Sequence, residues 1–187
     1  MRVFVALNLP SRERQRIHRA VRVLREGDLP VRWVEADNLH ITLKFLGEIR
    51  PERVAEVEAA VEGVASATLP LTLALEGFGA FPTLRWPRVI WMGAQATPEL
   101  RCLKQDLEWA LAECGFEAET RAFHPHLTLG RANPGDRAGA FRGLDELMAG
   151  TQLTCQVAVR TMDLMRSDLS REGAQYSVLS ALKLGGG

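Results

Sequence analysis

The sequence predicts an α+β fold of two pseudo-symmetric lobes, each a mainly antiparallel sheet covered by helices, with an active-site cleft between them. Three observations lead to this prediction. Strand-like and helix-like segments are interleaved along the 187 residues without a strict βαβ rhythm. The apolar fraction of 47% is that of an ordinary globular protein. One short polar pattern occurs once in each half of the chain. We expect a single domain over residues 1–184 and a flexible tail over 185–187.

Strands are predicted where short runs are rich in β-branched and other apolar residues. These runs lie at residues 3–7, 31–34, 39–46, 71–75, 89–92, 127–129, 153–159, 163–165 and 176–184. The stretch Gly77 to Pro87 is rich in Gly, Pro and aromatic residues, which predicts a loop. Residues 170–173 are predicted to form the turn of the last hairpin.

Helices are predicted where apolar residues recur at steps of three and four. Pro10 with Ser11, Pro51, and Thr97 with Pro98 provide the expected helix starts. The four apolar stripes are Ile17, Val21 and Leu24; Val54, Val57, Val61 and Val64; Leu100, Leu103, Leu107 and Leu111; and Phe141, Leu144 and Met148. Two pairs of helices therefore have apolar faces that can cover the sheets.

Charge and cysteine content exclude several classes of protein. Lys plus Arg and Asp plus Glu both number 23, so any contact with nucleic acid must be local rather than the basic surface that wraps duplex DNA. The three cysteines are odd in number and lack a C-x-x-C motif, which is unlike a disulfide framework or a zinc ribbon. No run approaches the ~20 apolar residues of a membrane span. We expect a cytoplasmic monomer with no membrane contact.

The repeated pattern is His-x-Thr followed by leucine. His40 and Thr42 form the first copy, and His126 and Thr128 form the second. Side chains at positions i and i+2 of a strand share a face, so each copy places an imidazole beside a hydroxyl while the intervening apolar residues face the core. One such motif arises easily by chance. Two copies with the same period and apolar backing favour a shared function.

Two imidazoles that line one cleft can divide acid and base roles, because their ordinary pKa is close to neutrality. Threonine hydroxyls beside them can donate to an anionic oxygen. In-line displacement at phosphorus requires these groups: a base for the incoming water, an acid for the leaving oxygen and donors for the remaining oxygens. The spacing alone does not distinguish the acid from the base, because the two motifs are nearly equivalent.

The segments HITLKFLGE at 40–48 and FHPHLTLGR at 123–131 resemble the two signature motifs of the two-histidine (2H) phosphoesterases. Within that superfamily the chain is most similar to the RNA 2′,3′-cyclic phosphodiesterases, historically called 2′-5′ RNA ligases. The similarity extends over nearly the whole chain, from the opening strand at 2–10 and the segment at 32–48 to the C-terminal hairpin. The residues that resemble this hairpin are Ser167, Leu169, Gly173 and Tyr176.

The resemblance implies roles for five residues. His40 is expected to be the proton donor and His126 the proton acceptor. Thr42 and Thr128 are expected to bind the phosphate oxygens, and Arg131 to aid phosphate or substrate binding. It also implies that no metal and no cofactor take part.

The expected reaction is hydrolysis of an RNA 2′,3′-cyclic phosphate to a 2′-phosphomonoester. The expected partners are RNA with 2′,3′-cyclic phosphate ends, with tRNA halves or cyclic nucleotides as candidates. Two alternatives stay open: a 2′-5′ RNA ligase that joins a cyclic-phosphate end to a 5′-hydroxyl, and a module that binds RNA ends without turnover. Product analysis distinguishes all three.

Other residues carry weaker signals. Lys44 shares the parity of the motif face and is expected to be solvated, whereas Phe45 is expected to face the core. His124 is expected to order the site rather than ligate zinc, because two histidines are too few for a closed zinc site. His18 is expected to be a solvated surface residue. Among the aromatic residues of the predicted loop, Phe81 and Trp86 are candidates for stacking on a base.

Overall fold

The computed structural model of the protein describes residues 1–133, 135, 139–170 and 173–185. Within them the strands are β1 (Arg2–Asn8), β2 (Val31–Trp33), β3 (His40–Glu48), β4 (Leu71–Pro82), β5 (Pro87–Ala94), β6 (His126–Ala132), β7 (Thr154–Val159), β8 (Thr161–Ser170) and β9 (Gly173–Lys183). The α-helices are α1 (Ser11–Ala20), α2 (Arg22–Glu26), α3 (Val54–Ala67), α4 (Pro98–Glu113) and α5 (Leu144–Gly150). Residues 171–172, the centre of the expected turn at 170–173, lie outside the described part of the chain. Residues 186–187 of the expected tail also lie outside it.

All the strand pairs are antiparallel, and the strand order is β7-β4-β5-β6-β3-β1-β8-β9, with β2 paired to β6. The sheet divides naturally where β3 meets β6, because Ile41 and Leu127 form the only registered pair between these strands in the described residues. One lobe contains β9, β8, β1 and β3, and the other contains β6, β5, β4 and β7 with β2. The predicted α+β architecture of two lobes is confirmed. The lobes are not sequence halves, however, because β8 and β9 return from the end of the chain to join β1 and β3.

The helices bury their apolar stripes against one face of the sheet. The central leucines of α4, Leu100, Leu103, Leu107 and Leu111, are each at most 1% exposed. The Thr97 hydroxyl accepts a hydrogen bond from the Leu100 backbone N–H at 3.3 Å, so the predicted N-cap is confirmed. None of the helices in the described residues is long and apolar enough to cross a membrane.

The predicted loop between Gly77 and Pro87 is wrong. Strand β4 continues to Pro82 and pairs with β5 from Phe78 opposite Met92 to Phe81 opposite Val89, which leaves only residues 83–86 in the turn. Glycine in this strand serves close packing, because the ring of Trp91 occupies the place that a Cβ on Gly79 would take. The glycines therefore belong to a strand over which an aromatic ring packs. The hairpin is longer than expected, and it brings Phe81 to the cleft.

Two further expectations from the sequence are wrong. His18 is not solvated: its side chain is 17% exposed and contacts Arg25, and its ring lies 3.8 Å from the Glu35 carboxylate. Lys44 is only 6% exposed and forms an ion pair with Glu108 inside the protein instead of meeting solvent. In both cases the polar side chain is paired with a residue from another segment of the chain. The local sequence does not reveal such a partner.

Lys44 belongs to a buried charge cluster with Glu108 and Lys104 of α4. Both ammonium groups donate to the Glu108 carboxylate, which is 5% exposed and also accepts from the Glu119 backbone N–H at 3.1 Å. Lys44 donates in addition to the carbonyl of Glu117 at 2.7 Å. Burial alone would raise the pKa of Glu108, but these donors outweigh burial and hold its pKa below the usual value. The cluster fixes the segment after α4 against strand β3.

Replacing Glu108 by glutamine is predicted to lower the free energy of unfolding by about 3–5 kcal/mol, because two buried ammonium groups then lose their counter-charge. Urea denaturation at neutral pH measures the change. The matched control is Glu56→Gln, which removes a carboxylate whose ion pair with Arg53 is half exposed to solvent. We expect little change in the control. Equal losses in the two variants would contradict the assignment.

Candidate active site

The pair Ile41–Leu127 brings the two histidine motifs together. Both side chains are fully buried on the helix-covered face. Because neighbouring residues of a strand alternate faces, His40 and Thr42 on β3 and His126 and Thr128 on β6 all project from the opposite face. The antiparallel register sets His40 beside Thr128 and Thr42 beside His126. The two sequence motifs therefore form one site around a local pseudo-two-fold axis.

His40 is held by its backbone and by two aromatic rings. Its Nδ1–H donates to the carbonyl of Asn38 at 2.8 Å, since a carbonyl oxygen can only accept. Its ring lies 5.0 Å from the Phe4 ring and 5.0 Å, edge to face, from the Tyr176 ring. This contact set fixes the tautomer and leaves Nε2 without a hydrogen-bond partner among the described residues.

His126 is held in the same way in the other lobe. Its Nδ1–H donates to the carbonyl of His124 at 2.7 Å. Its ring lies 5.2 Å, edge to face, from Phe81 and 6.2 Å from Trp91. The expected ordering role of His124 thus resides in its backbone carbonyl. The Nε2 atom of His126, like that of His40, has no hydrogen-bond partner among the described residues. The site therefore contains two matched imidazoles, each with a free Nε2.

Burial favours the neutral form of both imidazoles in the unliganded protein. Desolvation is the main cause of a pKa of about 4 for His40, and the positive charge of Arg131 and the neighbouring His126 lower it further. Desolvation also lowers the pKa of His126, with Arg131 again acting in the same direction. Arg131 therefore acts electrostatically on both imidazoles, and a bound anion would raise both pKa values by opposing its charge.

Both motifs contain the same β-bulge. On β3 the pairing with β1 skips Leu43, because Ala6 lies opposite Thr42 and Val5 opposite Lys44. On β6 the pairing with β5 skips Leu129, because Trp91 lies opposite Thr128 and Ile90 opposite Gly130. Each bulge falls on the leucine that directly follows the threonine.

The bulge changes the face of the residue three positions after each threonine. It brings Arg131 in one lobe and Phe45 in the other to the face of the histidines. The prediction that Phe45 faces the core is therefore wrong: its side chain is 64% exposed, and its ring lies 5.6 Å from Phe4. Simple alternation fails here because an extra residue is inserted in the strand.

A groove of about 1220 Å³ runs along this face. It joins the predicted residues Thr42, His126, Thr128 and Arg131 to Phe45, Phe81 and the segment 115–124. A second cavity of about 560 Å³ adjoins it and shares Phe81, Phe123 and His126 with it. Four of the five predicted site residues line this groove, and the register between β3 and β6 places the fifth, His40, on the same face beside Thr128.

Some neighbours of the site were not foreseen from the sequence. Phe4 and Tyr176 hold His40, but they belong to strands at opposite ends of the chain. For Phe4 the sequence did contain an indication of packing. Strand β1 is apolar on both faces, and a strand of this kind is covered by other protein groups on both sides. The described residues contain no group of three His, Cys, Asp or Glu side chains that could hold a metal ion.

Comparison with curated proteins shows relatives along the whole chain. The family model for LigT-like phosphoesterases matches residues 7–91. The RNA 2′,3′-cyclic phosphodiesterase of Archaeoglobus fulgidus is 37% identical over 182 residues, which cover 96% of this chain and 98% of that protein. The RNA 2′,3′-cyclic phosphodiesterase of Methanothermobacter thermautotrophicus is 29% identical over 188 residues, which cover 98% of this chain and 99% of that protein.

Solved structures agree with these relatives. A crystal structure of a Thermus thermophilus protein superposes with a TM-score of 0.81 at 29% identity, covering 100% of this chain and 99% of that chain. The crystal structure of E. coli LigT complexed with 3′-AMP has a TM-score of 0.69 at 31% identity and covers 98% of this chain and 97% of that chain. Because the similarity extends over both lobes and both histidine motifs, this chain belongs to the LigT-like phosphoesterase family.

Proposed function

We propose that this protein hydrolyses RNA 2′,3′-cyclic phosphate ends to 2′-phosphomonoesters by metal-independent acid–base catalysis between His40 and His126. One observation carries the proposal: matched Nδ1–H bonds to backbone carbonyls leave both Nε2 atoms free on the same face, beside two threonines and Arg131. The names of the curated relatives support the substrate class. The free thiols of the three cysteines are consistent with a cytoplasmic site of action.

In the proposed reaction a water oxygen attacks phosphorus opposite O3′. Nε2 of His126 accepts the water proton, the bond between phosphorus and O3′ breaks, and Nε2–H of protonated His40 gives its proton to O3′. The phosphate stays on O2′, and proton exchange with solvent restores the two imidazoles. The hydroxyls of Thr42 and Thr128 and the Arg131 guanidinium stabilise the charge on the non-bridging oxygens.

The electrostatics explain how a neutral pair can act as acid and base. His40 must be protonated to act as the donor, yet its pKa in the unliganded protein is about 4. A phosphate anion bound between the imidazoles favours the charged form and raises this pKa. The substrate itself therefore helps to protonate its acid. The assignment of His126 as the acceptor rests on the resemblance of its motif to the second motif of the family.

Alanine at His40 or His126 is predicted to lower kcat on adenosine 2′,3′-cyclic phosphate by about 10²- to 10⁴-fold, because each variant lacks one proton-transfer group. Turnover is measured by chromatography of the product, with circular dichroism to verify folding. The matched control is His18→Ala, a histidine outside the site. Near-wild-type rates in a folded His40 or His126 variant would refute the catalytic pair.

A change in the leaving group of the substrate distinguishes the proton donor from the proton acceptor. A cyclic substrate with sulfur in place of O3′ releases a thiolate, which needs no proton. We predict that this substrate restores most of the rate lost in His40→Ala and little of the rate lost in His126→Ala. Rescue of His126→Ala instead would reverse the two roles.

Arg131→Met is predicted to move the alkaline limb of the pH profile of kcat/KM to higher pH. The charge of Arg131 lowers the pKa of both histidines, so its removal raises both, and the imidazolium required for catalysis persists to higher pH. In the wild-type protein this limb should lie below pH 6.5, since both pKa values are lowered from 6.5. We also expect KM to rise by about tenfold or more from the lost phosphate contact. An unchanged limb would contradict the electrostatic role.

Turnover is predicted to be unchanged after dialysis against EDTA, because the proposed steps need only imidazoles and hydrogen-bond donors. The measurement compares initial rates before and after dialysis, and again after addition of Mg²⁺ or Mn²⁺. Loss of activity that a divalent cation restores would refute the metal-independent mechanism.

The cavity of about 560 Å³ beside His126 favours a second candidate, 2′-5′ ligation. It lies next to the proposed base and is lined by Phe81, Trp91 and Phe123, so a nucleoside with a 5′-hydroxyl could replace water there. Incubation of tRNA halves followed by product analysis decides between a 2′-phosphate end and a joined strand. Tight binding without either product would instead indicate the binding module.

A further inference from the structure

Arg32 of β2 is a cation beside the proposed site that the mechanism does not use. The antiparallel register sets Arg32 directly opposite Arg131, and it sets Arg131 directly opposite Val89 of β5. Residues that lie directly opposite each other on neighbouring strands share a face, so Arg32 is on the face of the histidines. Its strand neighbours Val31 and Trp33 pack against the core on the other face. The sheet therefore presents a second arginine beside the groove that Arg131 lines.

No carboxylate neutralises this pair of arginines. Among the described residues neither Arg32 nor Arg131 forms an ion pair, whereas Arg14, Arg53 and Arg166 are each paired with an acidic side chain. Two like charges that lie directly opposite each other in a sheet repel each other. The two guanidinium groups therefore supply an uncompensated double positive charge, which favours an anion with two phosphate groups.

The Arg32 side chain extends toward the other lobe. Its Cδ atom lies 3.5 Å and its Nη1 atom 3.6 Å from the position that a Cβ on Gly173 would take. Gly173 begins β9, the strand whose Tyr176 ring packs on the ring of His40. The guanidinium of Arg32 thus lies between a strand that pairs with the Arg131 segment and a hairpin that contacts the proposed proton donor.

We propose that Arg32 binds the phosphodiester on the 5′ side of the terminal nucleotide, while Arg131 binds the cyclic phosphate of that nucleotide. This inference rests on the proposed function and names its substrate class, the end of an RNA strand rather than a free cyclic mononucleotide. One nucleoside separates consecutive phosphates of a strand. Directly opposite residues have Cβ atoms about 5 Å apart, so two long guanidinium side chains can contact both phosphates. A free nucleoside 2′,3′-cyclic phosphate has no second phosphate for Arg32.

The experiment compares cyclic-phosphate substrates with and without the second negative charge. Adenosine 2′,3′-cyclic phosphate lacks it. A dinucleotide of deoxyadenosine and adenosine with a 2′,3′-cyclic phosphate end has it, and the same dinucleotide with a methylphosphonate linkage is neutral at that position. In Arg32→Gln we expect kcat/KM to fall about tenfold on the charged dinucleotide and less than about twofold on the other two substrates. The matched control is Arg22→Gln, an exposed arginine of α2, which should change none of the three rates.

The salt dependence of kcat/KM reports the same contact independently. On the charged dinucleotide the slope of log kcat/KM against log salt concentration should become shallower by about 0.7 in Arg32→Gln, because one phosphate contact to a single strand is lost. A purely structural role of Arg32 would leave this slope unchanged and would overturn the proposal.

The substrate series separates this proposal from the proposed function. Equal losses on all three substrates, or no loss on the charged dinucleotide, would overturn the second phosphate contact and leave the proposed function standing. Failure of the wild-type protein to turn over any of the three substrates would overturn the proposed function and the second contact with it.

Discussion

The site depends on one backbone pairing, that of Ile41 with Leu127. This pair is the only registered link between β3 and β6 in the described residues, and it lies at the boundary of the lobes. Because both side chains are buried against the helices, the residues on either side of each must face the cleft. A shift of one residue in this register would turn the histidines into the core and the apolar side chains into the groove. The buried apolar pair thus enforces the position of four polar side chains.

A second constraint is desolvation. Each imidazole packs against aromatic rings and burial lowers its pKa, while a backbone carbonyl accepts the hydrogen bond of its Nδ1–H. A neutral histidine with a fixed tautomer has a single free nitrogen, and the fold places two such histidines on one face of the sheet. The cost of burying these polar groups is limited by the hydrogen bond that each one makes. Arg131 then tunes both pKa values through its charge.

The two histidine motifs are nearly symmetric, but they differ at the position occupied by Phe45 in one lobe and Arg131 in the other. The matching bulges show that the two motifs share backbone geometry as well as residue type. Symmetry of this kind supplies two imidazoles with almost interchangeable surroundings. The residue three positions after each threonine removes the equivalence, since it is Arg131 in one lobe and Phe45 in the other. The same insertion in two strands therefore brings a cation to the face of the histidines in one lobe and an aromatic ring in the other.

The sequence by itself determined the fold class, most of the elements and the two His-x-Thr pairs that the structure brings to one face, because apolar period and the repeated motif are local. Arg131 was expected only from the resemblance to the family, and the roles of all five site residues stay predictions. It did not reveal the bulges, so alternation misplaced Phe45. It did not reveal the partner of Lys44, which lies on α4, or the aromatic contacts of His40, which come from β1 and β9. Only the tertiary structure decided these points, because strand register and burial arise from segments distant in the chain, whose pairing no local pattern specifies.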